Sequence, residues 1–167
     1  MKVVSIDSKT GKEVATEIPD PSPGFFAFVD GNDLTDAQIR SYIDRMNVSA
    51  DTKSLLYSFS KATVRVGKAI LKIGRKILDI LFSLVRAFPN ITFGVIFGLV
   101  VGALVASIPI IGIVLGSLAT TIAVAFGFVV GAKADFMSDD MGARIEAVLA
   151  QFEPLRTSIK GGMIYGA

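Results

Sequence analysis

The chain reads as an all-α membrane protein: a helical hairpin in the bilayer, preceded by a basic amphipathic helix and followed by a short amphipathic helix, with a small irregular or β-hairpin N-terminal region. Three observations predict this. Residues 87–132 contain no Asp, Glu, Lys or Arg, small residues recur every fourth position within that run, and a cluster of cations precedes it. A spanning helix needs about 20 apolar residues at roughly 1.5 Å each, so the run is long enough to cross a bilayer and return. Of the 167 residues 51% are hydrophobic and mean hydropathy is +0.60, whereas soluble domains reach about 45–50% apolar with glycine counted.

Residues 1–50 form a polar N-terminal region. Segments 2–6 and 13–18 alternate in part around Ser8-Lys9-Thr10-Gly11, as the strands of a small hairpin do. Pro19, Pro21, Pro23 and Gly24 then read as a linker. Thr35 followed by Gln38 is a capping-box pattern that starts a short helix at about 35–46.

Residues 52–88 predict one long amphipathic helix. Leu55, Phe59, Val66, Ile70, Ile73, Ile77, Ile80, Leu84 and Phe88 recur at spacings of three, four or seven, with Gly67 and Gly74 as points of weakness. Lys61, Arg65, Lys68, Lys72, Arg75, Lys76 and Arg86 face only Asp79, and this cationic stripe suits the phosphates of anionic lipid headgroups. The same apolar periodicity also fits packing on other helices of the chain, because it shows that a face is buried without naming what buries it.

The hairpin follows at 90–132, divided by Pro109. Gly94, Gly98, Gly102 and Ala106 share one face of the first span; Gly112 and Gly116 continue the pattern, then Ala119, Ala123, Gly127 and Gly131. Helix association in lipid depends on close van der Waals approach, so such grooves predict packing and self-association surfaces. The turn Ser107-Ile108-Pro109-Ile110 is uncharged, which eases passage through hydrocarbon. By the positive-inside rule both termini stay on one side, the cytoplasmic one if insertion starts there.

A helix at 138–153 has Ser138 as its cap, Asp139 and Asp140 in its first turn, an apolar face of Ile145, Val148, Leu149 and Phe152, and Pro154 near its end. Residues 154–167 read as a tail. The Asp139-Asp140 pair is explained by capping and not by a metal, since no other ligand type accompanies it.

The absences are informative. The sequence has no Cys and no His, which removes thiol chemistry, disulfides, the commonest general base and the commonest metal ligand. No Walker loop, GxGxxG or HExxH is present. The expectation is a protein that is not an enzyme and uses no cofactor. Nucleic acid could meet the cationic stripe, but the apolar face beside it favours a lipid surface.

The uncharged Ala/Gly-rich hairpin, the basic amphipathic segment before it, and the Val129-Val130-Gly131-Ala132 stretch, Asp135 and short helix after it resemble the channel-forming domain of pore-forming colicins, over roughly residues 55–152. The resemblance implies an apolar hairpin that lies hidden in a helical bundle and then enters a target membrane. The expected function is therefore membrane permeabilisation by a self-associating protein such as a toxin, holin or channel-like effector. The alternative is a membrane anchor that recruits a protein partner through its N-terminal region and last helix.

Overall fold

The computed structural model describes residues 1–7, 9–126 and 139–156. Among these, seven α-helices enclose an apolar core and a four-stranded antiparallel sheet covers one side. The all-α expectation is corrected by that sheet.

Strands β1 (Lys2–Ile6) and β2 (Glu13–Glu17) pair antiparallel with Val4 opposite Ala15. The other two strands come from residues expected to be helical: β3 (Val64–Val66) pairs with β1, and β4 (Ala69–Leu71) pairs with β3, giving the order β2-β1-β3-β4. Val64 and Val66 point inward and are buried while Arg65 between them is exposed, a period of two and not 3.6. Gly67 makes the turn with φ +60°, a conformation that glycine reaches without strain. The helical reading needed a seven-residue step from Phe59 to Val66. It also counted Ile70 as core, and Ile70 is exposed.

The expected helix at 52–88 is thus two helices, α3 (Ala50–Ser60) and α4 (Ile73–Ala87), with the β3–β4 hairpin between them. Upstream lie α1 (Pro23–Asp30) and α2 (Asp36–Arg45). The former uses residues read as linker; Pro23 sits in its first turn, where a missing N–H costs nothing, and Phe25 and Val29 enter the core.

The uncharged run forms α5 (Phe93–Ser107) and α6 (Pro109–Ala125). Their 15 and 17 residues extend about 22 and 26 Å, short of the roughly 30 Å of bilayer hydrocarbon. No described helix is long and apolar enough to cross a membrane. This corrects the two-span membrane placement and the transmembrane, pore-forming hairpin. Instead α5 is a core helix that packs on α4, α6 and α7 (Asp139–Gln151), and α6 packs also on α3 and β1. Ile96, Phe97, Val100, Val101 and Leu104 are all fully buried, each side chain contributing about 1.5–3 kcal/mol. Ring contacts tie the layers together: Phe59 meets Phe97 edge-on at 5.5 Å and Phe82 stacks on Phe93 at 5.1 Å.

The small residues meet several different neighbours. A Cβ on Gly94 would lie 2.9 Å from the Phe126 Cβ, and Gly112 and Gly116 both back onto Val105. Gly98, Gly102, Ala119 and Ala123 are buried, whereas Ala106 is exposed. Gly127, Gly131, Lys133, Asp135, Ser138 and residues 157–167 lie outside the described residues. The last described element is a 3-10 turn, Glu153–Leu155, with Leu155 buried.

Candidate anion-binding cleft

The first turn of α4 carries Arg75 and Lys76 directly after Lys72 and contains no acid. Cations are disfavoured there, because the helix macrodipole already places about +0.5 charge at that end. Two of the three are compensated. Lys76 turns inward: its Nζ donates to the Gly31 carbonyl at 2.7 Å, sits 4.5 Å above the Phe28 ring, and lies 3.9 Å from the Asp79 carboxylate. Buried Asp79 accepts the backbone N–H groups of Leu34 at 2.8 Å and Asp33 at 3.2 Å. Arg75 donates Nη2 to the Leu34 carbonyl at 2.7 Å and Nε to Asp36 in an ion pair. These bonds clamp residues 31–36 onto α4.

The clamp fixes the start of α2, which is also closed by a reciprocal cap: Thr35 Oγ1 accepts the Gln38 N–H while Gln38 Oε1 accepts the Thr35 N–H. Asp36 and, one turn on, Arg40 then face the end of α3. Between α2, α3 and the beginning of α4 is a cleft of about 330 Å³ whose walls include Asp36, Arg40, Tyr57, Lys61, Lys72 and Arg75. Four cations thus share a cleft with one wall carboxylate. Arg40, Lys61 and Lys72 are exposed and form no ion pair among the described residues. Arg75 is 13% exposed, with Nη1 buried and unpartnered.

The electrostatics agree with the geometry. The Arg75 guanidinium, by its hydrogen bond and then its charge, holds the Asp36 carboxyl below its ordinary value, with Lys72 and Arg40 adding to the effect. Tyr57 donates its hydroxyl to Asp44, which raises the phenol and keeps it a donor at neutral pH. Lys76 is pushed down by burial, against the opposing charge of Asp79. The cleft therefore offers donors and positive charge. Among the described residues no group of three or more acidic or His/Cys side chains could hold a metal.

A pH test follows from Asp36. Its lowered value means that the stabilisation from the Arg75 pair is fully present above the unfolded value of 3.8 and is lost as pH falls through the folded one. Wild type is expected to exceed Asp36→Asn in urea midpoint at neutral pH, with the gap closing below 3.8. A gap that persists unchanged down to about pH 2 contradicts the assignment.

Of the cationic residues expected to bind headgroups, Lys61, Lys72 and Arg75 come together here. Arg65 and Lys68 lie on the outward side of the β3–β4 hairpin, Lys76 is internal, and Arg86 is in the last turn of α4, about 16 Å along the axis from Arg75. The sequence reading missed Arg40, Asp36 and Tyr57. Its available signal was Asp36 and Arg40 at a spacing of four on a capped helix.

No protein-family model matches this chain, no curated protein is significantly similar to it, and no solved structure matches its fold. The likeness to the colicin channel domain accordingly stays one of pattern.

Proposed function

We propose that this protein is a binding module, not an enzyme, and that its cleft takes an anion bearing phosphate groups. One observation carries the reading: Arg40, Lys61, Lys72 and Arg75 converge on a cleft with Asp36 as its single wall carboxylate, and that carboxylate is engaged by Arg75. Lys72 and Arg75 stand at a helix N-terminus, whose dipole also favours an anion. Guanidinium and ammonium groups in such a cluster suit phosphate oxygens, each charge-assisted bond contributing about 1.5–3 kcal/mol.

The permeabilising and anchoring roles expected from the uncharged run would draw on α5 and α6, which the fold packs inside. The cleft needs no such opening, and we prefer it on that ground. Titration with inorganic pyrophosphate, followed calorimetrically, is expected to give saturable binding that weakens with added salt. Lys61→Ala with Lys72→Ala, both exposed positions, should lower affinity about tenfold or more, the loss of at least one charge-assisted bond. Absent binding, or equal binding by the double variant, refutes the assignment.

A further inference from the structure

We infer that the β3–β4 hairpin docks the protein onto an anionic lipid surface, with Ile70 entering the headgroup layer and the phosphate held by the cleft belonging to a lipid. This rests on the cleft reading above and names the source of its anion. It concerns attachment to one face of a bilayer and not passage across it.

The hairpin has two unlike sides. Val64, Val66 and Leu71 face the core. Outward, the antiparallel register sets Arg65 opposite Ile70, and by continuing it Thr63 opposite Lys72 and Gly67 next to Lys68 at the turn. All six of these residues are exposed. Ile70, 62% exposed, is therefore an aliphatic side chain set among Arg65, Lys68 and Lys72. Thr63 and Lys72 also line the cleft, so the ridge and the cleft form one continuous surface.

Charge selects the occupant. From Lys61 to Leu78 the sequence contains no acid, while the outer face's acids, Glu13 and Glu17, stand on β2 at the opposite edge of the sheet. With strands about 4.8 Å apart, that edge is roughly 14 Å from β4. A nucleic acid would also seek the cations, but residues 61–72 include no aromatic side chain, and the cleft's one ring, Tyr57, is tied by its hydroxyl to Asp44. An aliphatic tip ringed by cations matches the boundary between headgroups and acyl chains, where cations meet phosphates and the aliphatic chain leaves water. The three-residue β4 offers a partner strand few hydrogen bonds.

The test is co-sedimentation with vesicles of phosphatidylcholine alone or with phosphatidylglycerol added. Binding is expected only with the anionic lipid and should be reversed by salt. Lys68→Ala should lower the partition coefficient about fivefold and Ile70→Ser about tenfold. Because the chain has no cysteine, Ile70→Cys labelled with an environment-sensitive fluorophore gives a second readout, expected to shift to the blue on anionic vesicles only. Binding that ignores lipid charge or survives both substitutions unchanged, or a label that stays in water, overturns the inference. Pyrophosphate binding without vesicle binding overturns it and leaves the cleft reading standing; loss of both removes both.

Discussion

Gly74→Ala is expected to destabilise the protein by about 3 kcal/mol or more, although alanine is the better helix former by about 1 kcal/mol. A Cβ at this position would lie 1.8 Å from the Phe59 carbonyl oxygen and 2.9 Å from its carbon. Both are backbone atoms at the end of α3, so no rotamer change relieves the overlap. The approach is reinforced by the Gly74 N–H, which donates to the Ala62 carbonyl at 3.0 Å. Two other glycines provide the scale. Gly94→Ala meets the Phe126 Cβ at 2.9 Å, which no rotamer change moves, so it should also destabilise, but by less than the 1.8 Å overlap at Gly74; Gly116→Ala makes only an ordinary contact at 3.9 Å with Val105 and should be neutral or stabilising. Urea midpoints of the three variants measure the order, and a Gly74→Ala protein as stable as wild type would show that α3 and α4 do not pack backbone to backbone.

Asp79→Leu is the second large effect expected, a loss of about 3–5 kcal/mol. The substitution leaves the N–H groups of Asp33 and Leu34 without their acceptor and the buried Lys76 ammonium without its carboxylate. Asp79→Asn keeps one acceptor oxygen and should fall between leucine and wild type. Lys76→Met removes a charge that burial already disfavours, but it strands Asp79 and the Gly31 carbonyl, so it too should destabilise. Since this clamp fixes the start of α2 and with it Arg40 at the cleft, Asp79→Asn should also weaken pyrophosphate binding, whereas Lys61→Ala weakens binding without loss of stability. A thermal melt and a titration on the same samples separate the two; an Asp79→Leu protein with wild-type stability contradicts the clamp.

Several features were legible from local chemistry alone. The capping box at Thr35 and Gln38 and the pairing of segments near 2–6 and 13–17 depend on neighbours in sequence. The α4 half of the amphipathic segment kept its period because Ile73, Ile77 and Leu81 line one face of a real helix. Reading the same period back through Val66 and Ile70 failed. In that stretch the residues alternate, and a third and fourth strand form only because β1 supplies hydrogen-bonding partners some 60 positions away.

The cleft was half legible for the same reason. Lys61, Lys72 and Arg75 stood out as a cationic cluster, yet Arg40 and Asp36 join them only after residues 31–36 are clamped onto α4. Lys76, read as a headgroup ligand, became a buried partner of Asp79 because folding set its ammonium over the Phe28 ring and against the Gly31 carbonyl.

By itself the sequence determined that most of the uncharged stretch that becomes α5 and α6 would leave water, and that cations gather just before it. Only the tertiary structure decided what replaces the water. Apolar burial is nondirectional and scales with area, so an apolar helix fits hydrocarbon or a protein core equally well; the 15 residues of α5, packed among α4, α6 and α7 with only Ala106 and the partly exposed positions reaching solvent, take the second.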